Sequence, residues 1–345
     1  MVRVVEVRAL AKRWISEYSP SIPGFLGAHL GGSVSVLPAD AQFQHYRDVD
    51  IYVVVDNTYK AQRQTELAYY GLLLECTYLD IGRYRSPEMV LADPLLACHL
   101  ATSGILADPM GLLGNLQRSV GPEYARRHWI TARCATAERR MDQAFAATEA
   151  LPSIWTVQSF WIAFHHLAGL VALAHLRPPT MRTGLVLLRD LLSQRGEAAL
   201  HEQVLAALGV HGLSLATVIA HLHQTAGAFD EAVKETGKAP RDRSIMGHKF
   251  LSHVRPYLLQ GSQEMIKTGA HREAMWWIVL WALSAYQILL GTSDNGPAAA
   301  AFTDLLRALG LAMPGEISRR VHAARVTAQQ ATAVAAEVVA QSVDA

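Results

Sequence analysis

The chain has 345 residues, 51% of them hydrophobic and 18% charged, with a formal net charge of +1. This composition excludes a disordered chain, and the near-zero charge speaks against a polyanionic partner such as nucleic acid. Three cysteines, Cys76, Cys98 and Cys134, are odd in number and widely spaced, which suits reduced thiols in a cytoplasm and neither a disulfide framework nor a zinc site.

Residues 1–21 have amphipathic helical spacing and no signal-peptide pattern. Phe25-Leu26-Gly27-Ala28-His29-Leu30 reads as a short strand running into Gly31-Gly32-Ser33. The segment from Ser33 to Asp48 contains Pro38 and polar residues and is expected to form a loop. Asp48-Val49-Asp50 then opens a second strand through Val55. Strand side chains alternate, so Asp48 and Asp50 share one face while Val49 and Ile51 take the other. Asn57 or Thr58 would cap a helix running to about Tyr69, with Gly71 as its stop. Leu72–Asp80 forms a third strand with Glu75 at its centre. A helix over residues 86–100, entered through Pro87, and a strand over 103–107 complete a small mixed sheet with a few helices.

From Leu112 onward the chain is helix-patterned, with breaks at Gly121-Pro122, Pro152, Pro178-Pro179, Gly209 to Gly212, Gly291 to Pro297 and Pro314-Gly315. The expected fold class is α+β: a small mixed-sheet domain over residues 1–115, then an all-α bundle over 116–345. Residues 160–176 and 274–290 are apolar enough for central bundle helices, and the second is short for a membrane span. No membrane association is expected. The last helix, residues 316 to about 343, is open to packing on the bundle or on a second subunit of a homodimer.

Two carboxylates one residue apart on a strand repel each other unless a cation lies between them, and Mg²⁺ favours such oxygen ligands. The glycine turn allows close backbone approach, and its amides with the Ser33 hydroxyl are suited to phosphate oxygens. Strand, Gly31-Gly32-Ser33, second strand with Asp48-Val49-Asp50, and a later acid together resemble the nucleotidyltransferase superfamily of DNA polymerase β and the aminoglycoside adenylyltransferases. Leu74-Glu75-Cys76-Thr77 is similar to the Leu-Glu-Val-Thr stretch of streptomycin/spectinomycin adenylyltransferases, which selects Glu75 over Asp80 as third acid. Mid-strand alternation selects the same residue.

The resemblance implies metal held by Asp48, Asp50 and Glu75, with Glu75 also the catalytic base, and phosphates bound at Gly31, Gly32 and Ser33. It implies two Mg²⁺ ions, a nucleoside triphosphate such as ATP, and a small hydroxylated acceptor, with antibiotic modification as one outcome. An RNA or protein acceptor, or a catalytically degenerate nucleotide-binding regulator, are the rival readings.

Other features read as structural. Eleven of the fifteen histidines fall between His128 and His271, but the close pairs His165-His166 and His221/His223 lack the three- or four-residue spacing of helical metal ligands. Arg243 and His248 have the Arg-x4-His spacing of helical ribonuclease domains, a spacing common by chance. Thr180 is a candidate cap for a helix to Leu192, placing Arg177 and Arg182 near its start. Trp276, Trp277 and Trp281 read as core.

Overall fold

A computed structural model describes residues 2–56, 64–102, 104–150, 153–235, 244, 246–290, 296–313 and 315–342. The fold is α+β, a five-stranded mixed sheet near the N-terminus followed by a helical region. The chain divides into two compact units. One runs to Arg133 and takes in Leu176–Pro178 and Ser342, and the other comprises Cys134–His175 and Pro179–Gln341.

In the first unit, β1 (Val2–Arg3) leads into α1 (Val4–Tyr18), followed by β2 (Phe25–Leu30), α2 (Gly32–Val36), β3 (Gln42–Phe43), β4 (Asp48–Val55), β5 (Gln64–Tyr69) and β6 (Leu72–Asp80). Next come α3 (Pro87–Ala92), α4 (Leu96–Thr102), β7 (Ile105–Ala107) and α5 (Leu112–Glu123). The sheet order is β5-β6-β4-β2-β7, with β4 and β6 parallel and every other neighbour antiparallel.

The strand alternation creates two layers. Val49, Ile51, Val53, Leu74 and Cys76 face α1, where Val4, Val7, Ala11, Trp14 and Ile15 are buried against them. Tyr52, Val54 and Leu79 face the other way, into a core with Tyr84, Val90, Leu96, Leu100, Leu113, Leu116 and Val120. Those last three residues hold α5 in the first unit, so this core runs past the composition shift at residue 115 and on to Arg133. Buried Arg133 donates to the carbonyls of Leu91 (2.9 Å) and Tyr124 (2.7 Å), which ties the start of α6 (Arg127–Ala150) to this core.

Three local expectations are corrected. The residues before Gly71 do not continue a helix: those expected over 57–63 lie outside the described residues, and Gln64–Tyr69 is a strand paired antiparallel with β6. Tyr70 (φ 47°) and Gly71 (φ 76°) form the two-residue hairpin loop between them, both in the left-handed region that such a turn requires. The helix expected over residues 86–100 is two helices. Pro94 cannot donate within a helix, and the Asp93 carboxylate instead accepts the Leu95 and Leu96 N–H groups to start α4. The segment after Ser33 is not wholly a loop, since α2 follows the glycine turn directly. Arg8 of α1 fixes its far end by donating to the carbonyls of Val34 (2.7 Å) and Leu37 (2.7 Å).

The second unit contains the rest of α6, then α7 (Ser153–Ala174), α8 (Gly184–Gln194), α9 (Ala198–Leu208), α10 (Leu215–Glu235), α11 (Arg255–Lys267), α12 (His271–Leu289), α13 (Pro297–Ala308) and α14 (Glu316–Ala340). α12 is apolar nearly all round because it is central, packing against α7, α8, α10, α11 and α13. Ile154–Ala174 is long and apolar enough to cross a membrane, but 72% of its most apolar window is buried inside the protein.

Candidate active site

The parallel pairing of β4 with β6 sets Asp50 beside Glu75 and Asp48 beside Leu73. Asp48, Asp50 and Glu75 therefore lie on one face, and each offers a carboxylate oxygen within 4.8 Å of the others'. Glu75 is buried and the two aspartates are half-buried. An all-oxygen donor set of this size and charge fits a hard divalent cation such as Mg²⁺. Asp80 lies at the opposite end of β6, beside Val55, and its carboxylate accepts the Gly82 N–H.

The glycine turn abuts the acids. The Gly31 N–H donates to the Asp50 carbonyl (2.9 Å), clamping the end of β2 to β4. Gly32 has φ 51°, and a Cβ on it would be driven into the Asp50 carboxylate. A Cβ on Gly31 would enter the Tyr52 ring. Both glycines are thus required by close approach, and Gly32 by its backbone conformation as well. By this donation Gly31 fixes the turn, while the N–H groups of Gly32 and Ser33 begin α2. Neither has a carbonyl four residues earlier in that helix.

Beneath the turn lies a buried aromatic layer that the motif did not reveal. The Tyr52 ring sits 5.2 Å from His29 and 5.6 Å from His99, centre to centre. His29 Nδ1 donates to the Leu30 carbonyl (2.9 Å) and its Nε2 accepts from the Tyr84 hydroxyl (3.0 Å), a pairing that assigns the neutral tautomer. Burial pushes His29 down to about 4. Burial, with a smaller contribution from His29, pushes His99 down to about 3. Burial raises the Tyr52 phenol, and the nearby Asp50 and Glu75 charges raise it further.

A second residue escaped the sequence reading. Glu66 stands directly opposite Glu75 in the β5–β6 ladder, is 5% exposed, and brings a carboxylate oxygen within 4.8 Å of one on Glu75. Three adjacent strands thus carry Glu66, Glu75 and Asp50 in register. The alternation Thr65-Glu66-Leu67 and the dipeptide Tyr70-Gly71 were the available signals of a hairpin.

The remaining candidates are placed elsewhere. Thr180 does not cap α8: its hydroxyl pairs with that of Thr183 (3.1 Å), and the helix begins at Gly184. Arg182 lies over the Tyr257 ring at 5.0 Å. Trp276, Trp277 and Trp281 are all buried, with Trp276 stacked on Trp161. Among the described residues, His165, His166, His175, His221 and His223 enter no group of three metal donors. Arg243 lies outside the described residues.

No protein-family model matches the chain, and no curated protein matches it. Among solved structures, it is similar to a nucleotidyltransferase-like protein from Exiguobacterium sibiricum 255-15, at 14% identity over 91% of each chain with a TM-score of 0.31.

Proposed function

We propose that this chain is a metal-dependent nucleotidyltransferase that moves a nucleoside monophosphate from a triphosphate, ATP in the simplest case, to a hydroxyl of a small molecule. The observation that carries the reading is the convergence of Asp48, Asp50 and Glu75 against Gly32. In this reading the three carboxylates hold Mg²⁺, one ion or two. When bound, Mg²⁺ neutralises the charge that builds on the departing phosphates. Glu75 takes the proton of the acceptor hydroxyl as that oxygen attacks the α-phosphorus. A new phosphate ester forms, the α–β bridge breaks, and pyrophosphate leaves. Gly32 and Ser33 orient the terminal phosphates, and Gly31 keeps their turn seated on β4. The acceptor class, small hydroxylated molecules of the aminoglycoside kind, follows the family resemblance of the motifs.

The test is transfer of α-³²P label from each of the four nucleoside triphosphates to a panel of hydroxylated acceptors, aminoglycosides included, with Mg²⁺ and with EDTA. Label transfer and pyrophosphate release that disappear on chelation are expected. Triphosphate and Mg²⁺ that neither turn over nor raise the melting temperature would reject the reading.

A further inference from the structure

We infer that His99 is a positioning residue for the triphosphate: acting through Ser35, it fixes the Gly32–Ser33 peptide so that the Ser33 N–H faces the terminal phosphates. The inference rests on the nucleotidyltransferase reading above. Ser35 and His99 are 6% and 2% exposed, on α2 and α4 respectively. The Ser35 hydroxyl donates to the Gly32 carbonyl at 2.7 Å. Its proton being committed there, Ser35 Oγ accepts from His99 Nδ1, 3.3 Å away. The pair is therefore not a nucleophile with its base.

In a trans peptide the carbonyl and the following N–H point in opposite directions. Holding the Gly32 carbonyl toward buried Ser35 consequently aims the Ser33 N–H back along α2 toward the turn and the Asp50 carboxylate packed on Gly32. With the Gly31 N–H given to Asp50, orientation of the two remaining leading amides matters all the more. His99 is itself seated by the Tyr52 ring, which also forms the floor under Gly31. Burial keeps its imidazole neutral, with its one proton on the nitrogen facing Ser35. Apolar side chains would fill this layer without the desolvation that a buried imidazole and hydroxyl incur, a cost that their hydrogen bonds to each other and to the turn offset.

The experiment measures calorimetric affinity of the full chain for ATP and for AMP in Mg²⁺, with Ser35→Ala, His99→Phe, the double variant and His99→Asn. Loss of one net hydrogen bond predicts about a tenfold weaker ATP affinity in either single variant. AMP, which lacks the terminal phosphates, should stay within about twofold. The double variant should be no worse than the singles, since both break one chain of bonds, and His99→Asn, which returns a donor near the Nδ1 position, should recover most of the ATP affinity. Where circular dichroism shows that Ser35→Ala or His99→Phe has not folded, Ser35→Cys or His99→Leu takes its place, each expected to weaken ATP about tenfold and to spare AMP.

Unchanged ATP affinity in both single variants overturns the inference, as does a parallel loss for ATP and AMP, or failure of His99→Asn to improve on His99→Phe. Wild-type protein that binds no ATP overturns the nucleotidyltransferase reading and this inference together, whereas ATP binding indifferent to the variants overturns this inference alone.

Discussion

Along one face of the sheet, β4 and β6 carry Tyr52, Val54 and Leu79 toward one end and Asp48, Asp50 and Glu75 toward the other. The backbone pairing is the same at both ends, and so is the alternation. At the first end the side chains enter a core with Tyr84, Val90 and Leu113. At the second, acids occupy positions where the ladder asks only for a side chain of some kind. On the opposite face Val49, Ile51, Val53, Leu74 and Cys76 pack under α1, so the strand pattern itself does not call for carboxylates. Drawing several acids together in half-buried surroundings opposes folding through desolvation and mutual repulsion. In the proposed reading the acidic end serves chemistry and the apolar end packing.

The largest expected effect separates the two ends by function. Asp48→Asn or Asp50→Asn should lower nucleotide transfer at least about a hundredfold, the loss of several kcal/mol of charge stabilisation, while leaving the melting temperature near that of the wild type. Turnover close to normal in either variant would break the comparison. Leu79→Ala should reverse the pattern, costing about 2–4 kcal/mol in a urea titration with transfer per folded molecule retained. A variant as stable as the wild type would show that the apolar end is not carrying the fold.

Acid pH sharpens the contrast between the layer under the turn and the rest of the unit. His29 sits at about 4, below the ordinary histidine value near 6.5. Between those values the unfolded chain binds a proton that the folded chain refuses. Stability present above about pH 6.5 is therefore lost as pH falls toward 4, at up to about 1.4 kcal/mol per pH unit for this histidine. Unfolding midpoints of wild type and His29→Asn at pH 7 and pH 5 measure it: the variant should show the shallower fall, and equal slopes would remove the assignment. The smallest effect belongs to Asp80→Ala. Losing its bond to the Gly82 N–H should cost about 1 kcal/mol or less and leave transfer unchanged, whereas a large fall in rate would move the third acid away from Glu75.

Much of this site was legible because its signals are local. The Asp48/Asp50 pair, the glycine turn and the Glu75 strand each declare themselves within a few residues, and strand alternation assigns their faces. Glu66 was not legible by the same route. The sequence up to Tyr69 also accepts a helical reading ended by Gly71, and only the pairing of Gln64–Tyr69 with β6 decides for a strand there. His29 and His99 were hidden for another reason: a histidine in an apolar stretch looks the same whether it merely fills space or holds a turn. The break inside residues 86–100 was announced by Asp93-Pro94, a pair that interrupts one helix and lets its carboxylate cap the next.

The two-residue link between β5 and β6 has a further consequence. Tyr69 pairs with Leu72, so the count of residues in that link sets the parity of everything upstream on β5. Slipping β5 by a single position against its neighbour would swing Glu66 into the oily layer beneath α1 and bring Leu67 out among the acids. A slip of two would restore an outward carboxylate one step away from Glu75. Whether this face presents three negative groups or four is therefore decided by an odd or even number at a hairpin tip.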